Sequence, residues 1–297
     1  MGNRTFAHGI VEGEGPYCLP DGSMYVVEMA SKRACITKIG PDGKIVGGIK
    51  TGGRPNGLTM DGDGRLWMAE ARSGAVICYD QSGHQVMRIE EGLGGRFLWA
   101  NDLRFGPDDN LYLTDSGIID TTIFNGTQID PNYRELPYQG CVYEIDPRKG
   151  EVLRKIDSGF RFTNGIAFGP DNHLYINETL TGMIYRYDLF GAAPAKREDF
   201  CNVNRPDFPE GWRGPDGMAF GRDGRLYCTV YNQGDVTVVD RDGKVVERLP
   251  TNGTKPTNIA FASAGKAAYV TEVELSTVEK LEMPCEGMPL HAPHLNI

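Results

Sequence analysis

No apolar run in the chain approaches the roughly 20 residues that a membrane span requires, and its 31 Lys and Arg are scattered among 40 Asp and Glu. A net charge of −9 without a basic cluster removes the electrostatic footprint that nucleic acid demands. The seven cysteines are dispersed, odd in number and never in a Cys-x-x-Cys pair, so they read as reduced, mostly buried small side chains. There is no Gly-x-Ser-x-Gly, and the five histidines (His8, His84, His173, His291, His294) sit in the N-terminal lead, in turns or in the tail. Nucleophilic catalysis by Ser or Cys is therefore unsupported. The start Met1-Gly2-Asn3-Arg4-Thr5-Phe6 lacks the apolar stretch of a signal peptide, and the expected location is cytoplasmic. On that expectation the sequons at Asn3, Asn125, Asn177 and Asn252 carry no meaning.

What the chain does have is a repeat. Six segments beginning at Glu14, Asn56, Asn101, Asn164, Asp216 and Asn258 align without a gap. Each opens with a carboxylate or amide, runs through mostly apolar residues to a turn, and places an aromatic residue eleven positions on: Tyr25, Trp67, Tyr112, Tyr175, Tyr227 and Tyr269. The starts are 42, 45, 63, 52 and 42 residues apart, the period of a four-stranded propeller blade with the excess in loops. One repeat cannot bury both of its faces alone, whereas six stacked radially can. The fold expected is all-β, a six-bladed β-propeller of four-stranded antiparallel blades around a central channel, with residues 1–297 as a single domain.

Within the repeats, Pro20-Asp21-Gly22, Asp63-Gly64, Pro107-Asp108-Asp109-Asn110, Asp171-Asn172 and Asp223-Gly224 carry hairpin-turn chemistry. The stretch around Arg4-Thr5-Phe6-Ala7 is expected to complete the last blade, because an open sheet edge is a liability. The tail with Pro284, Pro289 and Pro293 is a poor strand and is expected over the surface. Two insertions, about 116–139 and 191–214, interrupt the third and follow the fourth repeat. Loops this long in a compact repeat protein are usually functional, here as cover for a site.

In a propeller the first strands line the channel and run in one direction, so the residues that open them gather at one mouth. Glu14, Asn56, Asn101, Asn164, Asp216 and Asn258 all carry side-chain oxygen, with no His or Cys among them. Hard oxygen donors of this kind suit Ca²⁺, Mg²⁺ or Mn²⁺, and accept Zn²⁺ or Fe²⁺ where carboxylates dominate. Fourteen residues after each start stand Glu28, Glu70, Asp115, Glu178, Val230 and Glu272. These acids either deepen the negative potential around a cation or fix loop N–H groups.

Gly13-Glu14-Gly15-Pro16, Ala100-Asn101-Asp102, Thr163-Asn164-Gly165 and Pro215-Asp216-Gly217 together resemble the SMP-30/gluconolactonase family of six-bladed propellers over essentially the whole chain. The resemblance implies one divalent metal held by Glu14, Asn164 and Asp216, with Asn101 either joining them or holding substrate, and Asp216 as the catalytic proton-transfer residue. It implies a metal-dependent lactonase acting on a small-molecule lactone, with no nucleic-acid or membrane partner; a homo-oligomer stays open. Where sugar-lactone hydrolases of the family often carry Arg, two residues before Asn101, this chain has Trp99, so the resemblance stops short of a gluconolactone-like substrate. Candidate substrate contacts are Asn101, Trp99, Arg54, Arg161 and Tyr138, with Arg213 beside them; arginines near one mouth would suit a substrate carboxylate. Two competitors remain: hydrolysis of a phosphorus ester at the same cation, and a non-catalytic binding platform.

Overall fold

The computed structural model describes residues 3–125, 128–193 and 195–297. It contains six four-stranded antiparallel sheets arranged as a six-bladed propeller. From the axis outward, blade one is Gly13–Cys18, Met24–Glu28, Cys35–Ile39 and Ile45–Lys50. The innermost strands of the next five are Pro55–Met60, Ala100–Phe105, Thr163–Phe168, Gly214–Phe220 and Pro256–Phe261. The sixth blade takes its outer strand from the other end of the chain: Arg4–His8 pairs antiparallel with Thr277–Glu282 and covers what would otherwise be an open edge.

The aromatic residue of each repeat works between blades. Trp67, Tyr112, Tyr175 and Tyr227 are buried and meet Phe105, Phe168, Phe220 and Phe261 of the following blade edge-on, with ring centroids 5.9, 4.9, 4.9 and 5.2 Å apart. The polar tip of each donates to the turn aspartate of its own repeat: Trp67 Nε1 to Asp61 at 3.0 Å, and the tyrosine hydroxyls of 112, 175 and 227 to Asp108, Asp171 and Asp223 at 2.9–3.0 Å. The fixed spacing of eleven residues thus serves two purposes, core packing and a hydrogen bond that closes the turn.

At the axis the first strands approach so closely that some positions have no room for a side chain. A Cβ on Gly165 would lie 2.1 Å from the carbonyl oxygen of Asp216 in the next blade. Every first strand also carries a register shift near its start, such as that between Thr163 and Ile166 or between Pro215 and Met218. A bulge there re-aims the side chains that open the strand.

The structure differs from the sequence expectation in the second insertion. Its first half contains Glu198–Asn202, the fourth strand of blade four. Outer strands are largely exposed, and this one carries two acids and an asparagine, so it lacks the apolar pattern that marks a strand. The first insertion contributes a short helix, Asp120–Ile123, and a turn at Tyr133–Glu135. The C-terminal tail forms no strand and runs across the face opposite the strand starts: Met288 N donates to Phe220 O, Gly62 N to Pro293 O, and Leu295 is buried against blades two and three. Among the described residues all seven cysteines are free, and no helix is long and apolar enough to cross a membrane.

Replacing Gly165 by Ala is expected to cost about 1–3 kcal/mol, because the clash is with backbone that cannot swing aside. Gly47→Ala, on an outer strand with nothing within 4 Å of the added carbon, is expected to stay within about 0.5 kcal/mol of the parent. Urea denaturation midpoints of the two variants test this, and equal midpoints would contradict the crowded axis.

Candidate active site

Five of the six strand-opening residues, Glu14, Asn56, Asn101, Asn164 and Asp216, line one cavity of about 400 Å³ over the channel mouth. The sixth, Asn258, points below it. Its Nδ2 donates to Glu14 Oε2 at 2.9 Å and reaches Asp102 Oδ2 at 3.5 Å, while its Oδ1 accepts from Ile259 N.

The two central asparagines are held in one orientation. Asn101 Nδ2 donates to Ser116 Oγ at 2.8 Å, and that hydroxyl donates on to Thr163 O. Asn164 Nδ2 donates to Thr179 Oγ1 at 3.1 Å, and that hydroxyl donates on to Pro215 O. Since each hydroxyl proton is committed to a carbonyl, each hydroxyl oxygen must accept from an amide N–H. The amide oxygen is then the polar atom that each asparagine presents to the cavity.

Glu14 and Asp102, both buried, and the half-buried Asp216 form an acidic centre. Burial drives the Glu14 carboxyl up to about 8 from the ordinary 4.5, with the charge of Asp102 adding to it. Asp216 is raised well above the ordinary aspartate value by burial, by Glu14 against which it lies, and by Asp102. Asp102 is raised by burial in spite of Arg104, whose Nη1 stands 3.2 Å from its Oδ1. Arg104 also donates to Leu58 O and Leu103 O, so one partly committed cation faces three carboxyls. Such a centre is under-neutralised, which is the condition a divalent cation relieves. Among the described residues no three His, Cys, Asp or Glu side chains form a ligand group by themselves. The amide oxygens of Asn101 and Asn164 would therefore complete the donor set of Glu14 and Asp216, an all-oxygen arrangement that fits a hard cation.

The acids fourteen residues after each start serve the loops. Glu28 accepts from Val11 N, Glu70 from Arg54 N, Asp115 from Leu98 N and Trp99 N, Glu178 from Arg161 N, and Glu272 from Lys255 N. Each thus ties down the segment leading into its own blade's first strand.

Of the expected substrate contacts, Asn101, Trp99 and Arg54 line the cavity. Arg161 and Tyr138 lie outside its lining: Arg161 donates through its side chain to Arg134 O, and the Tyr138 hydroxyl donates to Tyr133 O at 2.7 Å. Arg213, over Phe208 at 5.3 Å, is outside too. Sequence reasoning missed Asp102, which stands inside the quoted Ala100-Asn101-Asp102 stretch where four other repeats have glycine (Gly15, Gly57, Gly165, Gly217), a signal that was legible. It also missed Arg72, Tyr231 and Lys255, which line the cavity and have no repeat signature. Both insertions contribute to the wall, the first through Asp120, Thr121, Phe124 and Ile129, the second through Trp212.

A six-bladed propeller with hard oxygen donors converging at one channel mouth defines the class. Residues 93–274, well over half the chain, match the sequence model of the SMP-30/gluconolactonase/LRE-like region, and the chain belongs to that family. It is 28% identical over 247 residues to the diisopropyl-fluorophosphatase of Loligo vulgaris, covering 80% of this chain and 74% of that protein. It is 27% identical over 224 residues to the gluconolactonase of Zymomonas mobilis, covering 73% of this chain but only 60% of that one. The solved structure of a calcium-binding protein, regucalcin, from Agrobacterium tumefaciens superposes with a TM-score of 0.73 at 18% identity, over 100% of this chain and 98% of that one, a likeness of fold.

The raised carboxyls set a pH dependence. A carboxyl harder to ionise in the fold than in the unfolded chain contributes stability that is complete below the unfolded value, 4.5 for Glu14, and is lost as pH rises through the folded value of about 8. The melting temperature of chelator-treated protein should therefore fall between pH 5 and pH 8, and added Ca²⁺ should restore it most at the upper end. A metal-free protein whose stability climbs over that range would contradict this account of the centre.

Proposed function

We propose that this chain is a metal-dependent hydrolase that opens a lactone ring. One observation carries the reading: Glu14, Asn101, Asn164 and Asp216 open four different first strands, meet at the floor of one cavity, and have both amide nitrogens tied down by Ser116 and Thr179. The gluconolactonase of Zymomonas mobilis and the lactonase drp35 of Staphylococcus epidermidis, 27% and 25% identical to this chain, support it. A divalent cation bound there, Ca²⁺ being the best match to neutral and anionic oxygen donors, supplies Lewis-acid polarisation of the ester carbonyl and acidification of water.

The chain's own residues do the rest. Asp216 takes the proton of the attacking water as its oxygen bonds to the carbonyl carbon; the ring C–O bond then breaks, and Asp216 returns that proton to the departing ring oxygen, which leaves as the alcohol of a hydroxy acid. Asn258 holds Glu14 in place from below and itself reaches Asp102. The Tyr231 phenol lines the cavity near Asp216, is kept protonated by burial that pushes it up to about 12, and has no hydrogen-bond partner among the described residues. It is a neutral donor available to a substrate oxygen.

Hydrolysis of a phosphorus ester or anhydride at the same centre is the second reading, favoured by the 80% of this chain that aligns with diisopropyl-fluorophosphatase. A non-catalytic platform gives no reason to gather three carboxyls together at the axis.

The test is metal content of protein purified without chelator, followed by hydrolysis of a lactone panel beside paraoxon-type esters, with Ca²⁺, Mn²⁺, Zn²⁺ and Fe²⁺ added back. Wild type should carry about one metal and open a lactone, while Asp216→Ala should bind none and lose at least about 100-fold in kcat/KM, the scale of removing one preorganised electrostatic group. Ester turnover without lactone turnover would select the second reading. Neither metal nor turnover with any ion would overturn both.

A further inference from the structure

The cavity above the acidic centre has two unlike sides. Over blades three to five stand Trp99, Phe124, Phe162 and Trp212, each brought by a different strand, loop or insertion. They form one continuous surface: Trp99 lies 5.9 Å from Phe124 and 5.2 Å from Phe162, and Phe162 lies 5.0 Å from Trp212, ring centre to ring centre. Phe162 adopts φ +70°, a left-handed conformation that a bulky residue avoids. Strain of that kind persists where the surroundings over-determine it, here to set an aromatic ring in the wall of a cavity.

Much of the polar lining of the remaining wall is spent on neighbouring groups, with Asn56, Tyr231 and Lys255 the exceptions. Arg54 pairs with Glu12 at 3.1 Å and lies over the Trp99 and Phe124 rings, and Arg72 pairs with Asp120 at 3.0 Å. The Thr179 and Thr257 hydroxyls donate to Pro215 O and Gly13 O. A polyhydroxylated sugar lactone would strip several hydroxyls of water in this space, more than the few free groups can pair, and each one left unpaired opposes binding. An apolar substituent has the opposite balance, since burying it against aromatic rings removes apolar surface from water and is favourable.

We infer that the substrate of this site is a lactone carrying an apolar alkyl or aryl substituent, which lies on the Trp99–Phe124–Phe162–Trp212 wall while the ring carbonyl faces Asp216. The inference rests on the lactonase reading for its chemistry, and its test separates the two. Trp99 and Trp212 are two of the three tryptophans, and the third, Trp67, is buried in blade two with its indole N–H on Asp61. Tryptophan fluorescence therefore reports occupancy of the wall whether or not turnover follows.

Wild-type protein with Ca²⁺ is titrated with δ-decalactone and with glucono-δ-lactone, and with 2-pentylcyclohexanone, which has the alkyl group but no ester to open. The decalactone and the cyclohexanone should change the emission at concentrations at least about tenfold below the sugar lactone, a factor equal to about 1.4 kcal/mol. The decalactone should also be opened with the higher kcat/KM. Trp212→Ala, at a partly exposed position, should raise KM for decalactone about tenfold with a smaller change in kcat, as should Phe124→Ala. Binding of the cyclohexanone and decalactone without hydrolysis of any lactone would support the apolar wall and sink the lactonase reading. Glucono-δ-lactone bound as tightly as or opened faster than decalactone, or KM values untouched in both variants, would overturn the inference and leave the lactonase reading standing.

Discussion

Three carboxyls gathered at the axis of the propeller, Glu14 and Asp102 buried and Asp216 half-buried, are the constraint around which the molecule is arranged. Left to themselves, Glu14, Asp102 and Asp216 would repel one another and resist ionisation. Their positions are nevertheless fixed from every side. Arg104 stands beside Asp102, Asn258 bridges Asp102 and Glu14, and the Asp216 main-chain carbonyl accepts from Asn177 Nδ2 of the preceding blade at 2.6 Å. What such an arrangement can gain is a cation, and the all-oxygen donors on its upper side provide the place for one.

The repulsion at the centre is tolerable because the ring around it is stiff. Four of the six blades lean on the next through an edge-on aromatic pair, and in each of these the repeat aromatic is anchored to an aspartate of its own turn. Near the axis, second-strand side chains donate across blades to first-strand carbonyls, as Thr114 does to Asn164 O and Thr229 to Thr257 O. The N-terminal strand closes the circle. Packing, hydrogen bonding and chain closure therefore act on the same few atoms that hold the site, which is how a bulged strand start can keep a fixed aim.

Above the centre the architecture changes from repeated to particular. The second-strand acids use the same geometry in five blades to tie down the loops that lead to the axis, and those loops carry Arg54, Trp99 and Lys255 to the cavity. The insertions then add Phe124 and Trp212 to one side only. The floor follows the repeat and the wall does not, so the proposed chemistry and the proposed selectivity fall in different parts of the fold.

The repeat spacing, the turn aspartates, the strand-opening oxygen donors and the closing role of Arg4–His8 were all legible in the amino-acid order, because each follows from a fixed offset that a periodic fold must keep. The family resemblance rested on the same positions. What the order could not convey was direction. Asn258 looks equivalent to Asn101 in sequence, yet it turns down to Glu14, while Asn101 is held upward by Ser116; the difference lies in which hydroxyl or carboxyl the neighbouring strand offers. Arg161 and Tyr138 sit beside the right strand starts but satisfy main-chain carbonyls instead of facing the cavity. Glu198–Asn202 escaped notice because an outer strand exposed to water needs no apolar alternation. Sequence by itself determined the ring and the residues brought to its mouth; tertiary structure alone decided which atoms of those residues face inward, because that depends on hydrogen bonds between segments far apart in the chain.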